Sequence, residues 1–250
     1  TTIGLVWTPS YVEGLAVTLD YYSIEIEDVI SQVSASRLLR ECYESPNFPN
    51  VPQCDAHERF STGHLKYWYS YDINQSTYES TGMDLAVGYT FESLGPVPGE
   101  LDIRGIWTNR DKHEFATTTA STPFDSVGEV GYNDDIARIN FVYTTDDWLV
   151  SLQANYYSDA LDSVAYGPDA YGNEVASNQV DSMTYLDLQI RYDLTDNIDV
   201  YFGVDNLTNK QPPFCPNCEN EPVPGAHYTA ESYARVWDSK YHYLGFRYNL

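Results

Sequence analysis

The sequence predicts an all-β fold, an antiparallel up-and-down β-barrel that crosses a membrane, of which this chain supplies about nine strands. Three observations point there. Stretch after stretch alternates apolar and polar residues with period two. Short connections alternate strictly with long ones. The polar side of each strand carries groups that a dry core does not accommodate.

The strands read as follows. Near the start, Ile3, Leu5 and Trp7 pair with Leu15, Val17, Leu19 and Tyr21. After Tyr21 the phase inverts, because Tyr22, Ile24 and Ile26 are apolar, and a β-bulge is expected there. Residues 67–91 read as one long strand with an irregular upper half. In its lower half Met83, Leu85, Val87, Tyr89 and Phe91 face away from Asp84, Gly88 and Thr90. Leu101, Ile103 and Trp107 oppose Asp102 and Arg104, and Ala137, Ile139, Phe141 and Tyr143 oppose Arg138 and Asn140. Trp148, Val150, Leu152, Ala154 and Tyr156 alternate with Leu149, Ser151, Gln153, Asn155 and Tyr157. Leu186, Leu188, Ile190 and Tyr192 alternate with Asp187, Gln189, Arg191 and Asp193. Ile198, Val200, Phe202 and Val204 oppose Asp199, Tyr201, Gly203 and Asp205. In the last strand Leu244, Phe246, Tyr248 and Leu250 oppose Tyr243, Gly245, Arg247 and Asn249.

Short links fall near residues 9–14, 92–99, 144–147 and 195–197; long ones fall near 31–63, 109–132, 162–181 and 208–232. A bacterial outer-membrane barrel places short turns in the periplasm and long loops outside. A soluble sandwich scatters its loop lengths, and loops of roughly 20–30 residues are uncommon in compact domains. The aromatics near strand ends (Phe91, Trp107, Tyr143, Trp148, Tyr156 and Tyr248) suit two interfacial belts. No stretch approaches the roughly 18 apolar residues of a membrane helix. The mean hydropathy is negative, but alternation cancels the average in barrel strands.

Charge excludes one class outright. With 37 acids against 13 lysines and arginines, net −24, the chain lacks the basic footprint that nucleic acid requires. Acidic groups cluster at residues 25–28, at Asp134 and Asp135, at Asp146 and Asp147, and at residues 159–162. A loop such as 159–169 offers several oxygen ligands to calcium, yet no EF-hand spacing is present and solvated acid is the favoured reading. His57, His64, His113, His227 and His242 show no metal-ligand spacing, and no G-x-S-x-G elbow marks a nucleophile. No catalytic, cofactor-binding or metal-binding residue is therefore assigned.

The four cysteines form two close pairs, Cys42 with Cys54 and Cys215 with Cys218. Cys215 and Cys218 have the C-x-x-C form, but they sit in a proline-rich loop rather than opening a helix, and a zinc site needs four ligands. The favoured reading is loop disulfides in an oxidising compartment. Pairing within each loop is the default among the three connectivities that four cysteines allow. Loop aromatics Tyr43, Phe48, Tyr166, Tyr171, Phe214 and Tyr228 either stack a ligand at a mouth or pack the loops on each other; packing is favoured.

Three stretches carry a family resemblance. Val204 to Asn209, within YFGVDNLTNKQPP, resembles the pattern of a strand ending in Gly-Val-x-Asn-Leu followed by prolines. The ending SYARVWDSKYHYLGFRYNL resembles a final barrel strand, although it closes on Leu250 where the family usually has Phe or Trp. GMDLAVGY at Gly82 to Tyr89, preceded by Asn74, is similar to a mid-barrel strand. Cys42-Tyr43, Cys54 and Arg59 are similar to a recurrent outer loop. In their order along the chain, these stretches together resemble the C-terminal part of the barrel of a TonB-dependent outer-membrane receptor.

That resemblance implies a barrel of about 22 strands with an N-terminal plug, whereas this chain has room for about nine. The expectation is a partial protein: residues 1–250 form the C-terminal portion of the barrel, without the plug or the periplasmic segment that contacts TonB. The implied partners are outer-membrane lipid, the remaining barrel and plug, the TonB complex acting through the plug, and a small-molecule solute such as a siderophore, vitamin or oligosaccharide. No cofactor and no enzymatic activity are implied. Arg104, Arg138, Arg191 and Arg247, on the polar face, are expected to bridge to wall acids, line the solute path or pair with the plug. Two alternatives stay open: a smaller complete barrel acting as passive pore or rim enzyme, which a closed contact between strands near Ile3 and Phe246 would favour, and a soluble acidic adhesion protein.

Overall fold

The computed structural model describes residues 1–32, 35–69, 72–116, 123–161, 179–213 and 240–249. In chain order it has β1 (Thr2–Trp7), β2 (Leu15–Gln32), helices α1 (Ala35–Tyr43) and α2 (Pro52–Asp55), β3 (His57–Arg59) and β4 (Leu65–Trp68). Then come β5 (Asp72–Phe91), β6 (Glu100–Ala116), β7 (Phe124–Asp125), β8 (Asp135–Thr144) and β9 (Trp148–Tyr157). β10 (Ala160–Leu161) and β11 (Gln179–Val180) are short, and β12 (Met183–Thr195), β13 (Ile198–Asp205) and β14 (Tyr241–Tyr248) complete the chain.

Nine strands form one antiparallel sheet in the order β1-β2-β5-β6-β8-β9-β12-β13-β14, with β7 attached to β6. Each wall strand lies beside the next one in sequence, the up-and-down pattern. β1 and β14 are the two ends of this path and do not pair with each other. The closed contact near Ile3 and Phe246 that a small complete barrel requires is therefore missing among the described residues. Ile3 is 69 % exposed and Phe246 74 %, as befits residues beside unpaired edges.

Register separates two faces. Leu101, Tyr143, Val150, Ile190, Phe202 and Leu244 lie opposite one another in succession across six strands, forming an apolar row. One pleat away, Asp102, Val142, Ser151, Gln189, Gly203 and Tyr243 form the matching inner row. Aromatics gather at the short-turn end of the outer face: Trp148 packs on Tyr192 at 4.5 Å, and Tyr89 meets Phe91 edge-on at 4.4 Å. At the opposite end the indole N–H of Trp107 donates to Asp135 (2.9 Å), which also accepts from Asn109 (3.0 Å). Apolar ring and satisfied polar tip suit a membrane interface.

Three expectations need correction. Residues 67–91 are not one strand: Trp68 and Tyr67 pair with His57 and Glu58 in a separate β3–β4 hairpin, and the wall strand begins at Asp72. The β1–β2 ladder also has no bulge at Tyr21, where one was expected. Register with β1 is unbroken through Tyr22, β2 continues to Gln32, and its left-handed residue is Asp28 (φ 54°). Tyr22 and Ile24 therefore project inward, beside Asp20 and Asp84. Third, β6 runs on to Ala116 rather than ending near Asn109, because the following segment supplies partners: Arg110 N–H donates to Asp134 O, and Ser126 N–H to His113 O.

The chain divides into two compact units, one of Thr1–Ile24, Ser80–His113 and Asp125–Leu250, the other of Glu25–Glu79 and Glu114–Phe124. Within the second, Cys42 and Cys54 form a disulfide that links α1 to α2 across 12 positions, as the pairing within one loop anticipated. Closing a loop of this size contributes about 3 kcal/mol in the chain-entropy account, useful where the local core is little more than Leu38, Ala56 and the buried Cys42. Tyr43 packs on Phe48 (5.3 Å), and its hydroxyl accepts from Arg59 Nε (2.8 Å). Here loop aromatics do pack on each other. Cys215, Cys218, Tyr166, Tyr171, Phe214, Tyr228 and Leu250 lie outside the described residues.

At the last seam the inner face carries reciprocal tyrosine–glycine pairs. Tyr201 lies opposite Gly245 and Tyr243 opposite Gly203. A Cβ at Gly203 would sit 2.0 Å from Tyr243 Cζ, and one at Gly245 2.3 Å from Tyr201 Cζ. Each ring lies flat where its partner has no side chain. Gly203→Ala and Gly245→Ala should each cost about 1–3 kcal/mol by overpacking. Gly105→Ala, whose added methyl meets only ordinary contacts at 3.8 Å or more, should stay within about 0.5 kcal/mol. Urea midpoints of the intact protein in detergent micelles check this; equal midpoints for all three would refute it.

Candidate functional site

The inner face of β5 to β14 is a polar wall whose groups are cross-linked. Arg104 grips Asp102 through Nε (2.7 Å) and Nη2 (3.3 Å), and Thr90 also donates to that carboxylate (2.9 Å). Thr108 donates to Asp84 (2.6 Å). Arg191 Nε lies 3.2 Å from Asp193, close enough for an ion pair though not aligned as a hydrogen bond. Arg247 stands opposite Asp199, a carboxylate that is 7 % exposed. Arg138 bonds to a neutral amide instead, donating from Nε to Asn155 Oδ1 (2.9 Å). All four arginines sit on the polar face, as alternation anticipated. Among the described residues Arg104 and Arg191 meet wall acids and Arg138 does not.

Asn155 is the hub of this wall. It is 2 % exposed, accepts from Gln153 Nε2 (3.0 Å) as well as Arg138, and donates to Asp187 Oδ2 (3.3 Å). The other oxygen of Asp187 accepts the backbone N–H of Asn206 (3.0 Å). Asn206 and Asn209 both adopt left-handed backbones (φ 53° and 54°), which Asn tolerates better than most residues. The Asn206 side chain then closes the turn, accepting from Lys210 N–H (2.8 Å) and donating to Lys210 O (2.9 Å). Asn209 Oδ1 accepts from Lys240 N–H (3.1 Å), tying the returning chain to the same turn. The Asn-Leu-Thr-Asn motif is thus a two-asparagine turn anchored on the inner wall through Asp187. Sequence reasoning found the motif but not Asn155 or Asp187, since a lone polar residue on an alternating strand gives no sign of what it will meet two strands away.

At the long-loop end two segments fold inward over the wall. Met183 and Tyr185 belong to the inner face of β12; both are buried with Val180, and Val130 and Tyr157 pack against them. Leu161 ties the two segments together through its backbone, its carbonyl accepting from Val130 N–H and its N–H donating to Gly128 O. Buried Asn133 donates to Ser158 O (2.7 Å) and its own carbonyl accepts from Arg110 (3.2 Å). His113 packs on Tyr132 at 4.4 Å with the rings tilted by 35°, and the Arg110 guanidinium lies 5.9 Å from the same ring.

Asp134, Asp159 and Asp181 line a cavity of about 400 Å³ beside Leu161 and Val180. The first two belong to clusters legible in the sequence; Asp146 and Asp147 instead occupy a short turn, where Asp147 O accepts from Asp193 N–H. Among the described residues no group of three or more His, Cys, Asp or Glu is arranged to hold a metal. The remainder of the 159–169 loop lies outside the described residues.

Two rim groups titrate away from their ordinary values. Burial first, then the charges of Asp135 and Asp159, raise the Asp134 carboxyl above 3.8, against weaker opposition from a backbone hydrogen bond and Arg110. Burial first, then Arg110, lower the His113 imidazole below 6.5, with Asp125 opposing. A raised carboxyl favours the folded rim below its ordinary pKa, and that contribution is lost as pH rises through the raised value. The lowered imidazole acts in the opposite sense, its contribution present above 6.5 and lost as pH falls through the lowered value. Asp134→Asn should therefore slow amide exchange across residues 126–134 at neutral pH, with the gain vanishing in acid. His113→Gln should abolish the loosening on mild acidification. Exchange rates independent of both substitutions would refute this electrostatic account.

Comparison with known proteins agrees with this architecture. The family profile described as TonB dependent receptor-like, beta-barrel matches residues 1–207. No curated protein sequence matches the chain. Among solved structures, the ferric enterobactin receptor PfeA from Pseudomonas aeruginosa superimposes with a TM-score of 0.60 at 16 % identity, covering 99 % of this chain and 30 % of that one. The siderophore receptor PirA from Acinetobacter baumannii gives 0.56 at 14 % identity, covering 99 % and 31 %. The FrpB iron transporter from Neisseria meningitidis gives 0.54 at 13 %, covering 99 % and 30 %. At such identities the likeness is one of fold, and the chain spans about 30 % of the length of these receptors. The profile match, taken with the two-faced sheet in sequence order, shows that the chain belongs to the TonB-dependent receptor family and forms part of its β-barrel.

Proposed function

We propose that residues 1–250 are the C-terminal portion of the barrel of a bacterial outer-membrane transporter that imports a scarce solute under the control of TonB. The observation that carries this reading is the two-faced wall: hydrogen-bonded polar rows inside, apolar rows and aromatic belts outside. Hydrocarbon accepts only the second kind of face, and a solvated or plug-filled lumen accommodates the first. The unpaired edges of β1 and β14 call for further strands, which we assign to the rest of the same receptor.

In this reading outer-membrane lipid surrounds the wall and the small-molecule solute binds among outer loops and plug. The TonB complex then acts on the plug to open a path along the polar face. Nucleic acid is not a partner. No covalent step is asked of these residues; the family is one of transporters and receptors. Siderophores are the first solute class to test, because the similar solved structures include a ferric enterobactin receptor and a siderophore receptor. Vitamins and oligosaccharides are the next.

Deleting the gene should abolish high-affinity uptake of one member of a radiolabelled panel of ferric siderophores, cobalamin and oligosaccharides, and loss of TonB should abolish it equally. The intact protein should sediment with outer membranes. Uptake that persists without TonB would instead indicate a passive pore, and recovery in the soluble fraction would refute the membrane assignment.

A further inference from the structure

Arg138 is set apart on the inner wall by what it bonds to. Arg104 is engaged twice by Asp102, and Arg191 lies beside Asp193. Register places Ile106 on one side of Arg138 and Asn155 on the other, so neither cross-strand neighbour is an acid. Nε is held by Asn155 Oδ1 at 2.9 Å. That amide is fixed in turn, since its Nδ2 donates to Asp187 Oδ2 (3.3 Å) and its oxygen also accepts from Gln153 (3.0 Å). Asp187 is itself held by the Asn206 N–H (3.0 Å). The carboxylate therefore stands behind the amide and sets which end of it faces the guanidinium. Among the described residues the two Nη groups of Arg138 meet no wall partner, and the side chain is exposed. A guanidinium tethered at Nε presents its remaining N–H groups as a fork that matches the two oxygens of a carboxylate or phosphate.

We infer that Arg138 is an oriented contact for an oxyanion on the inner wall, with Asn155 and Asp187 as its positioning residues. This rests on the reading that the polar face lines the lumen. The oxyanion has two possible sources, a carboxylate of the plug or an anionic group of the solute in transit. Both present the same chemistry to the fork.

Crystals of the intact receptor, soaked in sodium bromide, separate them. A plug carboxylate within hydrogen-bond distance of the Arg138 Nη atoms assigns the contact to the plug. An anomalous bromide peak there, with no plug atom in reach, shows the fork open to a free anion rather than held by the plug, and either result supports the inference. Arg138→Gln should remove the contact or peak, and Asn155→Asp, nearly unchanged in shape, should do the same by placing a wall carboxylate on the guanidinium. Arg104→Gln should leave it in place, because Asp102 already occupies that side chain. Nη groups bonded only to wall atoms or water, or a peak that survives at full height in both Arg138→Gln and Asn155→Asp, would overturn the inference. A structure in which this face packs on a second sheet would instead overturn the importer reading itself, whatever Arg138 touches.

Discussion

A peptide group inside hydrocarbon has no water to bond, so each must find a partner on a neighbouring strand. That constraint shapes the whole wall. Nine strands satisfy it by lying beside one another in chain order, and among the described residues the outer edges of β1 and β14 remain open. Once backbones are paired this way, the pleat sends alternate side chains to opposite faces. A one-residue slip would exchange the faces entirely. The unbroken registers from β6 to β14, apart from one shift near Asp193 and Thr195 at a turn, keep them separate.

Two different chemistries then stabilise the two faces. The outer rows need only be apolar and finish in rings at the interfaces. The inner rows carry charge and amide groups, which are tolerable only when bonded or wet. Asn155 and Asp187 show how the second condition is met: one buried amide joins three strands and, through Asp187, fixes the turn at Asn206. Glycines on the last seam serve a related end, giving Tyr201 and Tyr243 room to lie against the wall. At the rim, apolar Val130, Val180 and Met183 let two loop segments fold inward over an otherwise polar face.

The fold was legible because period-two alternation is a local property of each strand. Ile198 to Asp205 or Trp148 to Tyr157 declares both its faces without reference to any neighbour. Loop alternation supplied the topology. Legibility failed where local pattern and tertiary context part. Tyr22 and Ile24 look like an inverted phase, but they are apolar residues on the inner face of an unbroken strand. Tyr67 and Trp68 have strand-forming character, and a local hairpin with His57 and Glu58 claimed them. The site was less visible than the fold. The Cys42–Cys54 pair and the asparagines of the 206–209 turn stood out by spacing and motif. The Arg138, Asn155 and Asp187 chain did not, because it depends on registers among three strands that no single segment encodes.

Scanning single spin labels through Asn140 and Phe141, Leu152 and Gln153, and Gln189 and Ile190 of the reconstituted intact protein tests the two-faced wall most directly. The account predicts that labels replacing Phe141, Leu152 and Ile190 collide with dissolved oxygen, which concentrates in lipid. Labels replacing Asn140, Gln153 and Gln189 should be shielded from oxygen and reached, if at all, by a water-soluble nickel chelate. Equal accessibility of both sets, or oxygen contact on the polar set alone, would contradict it.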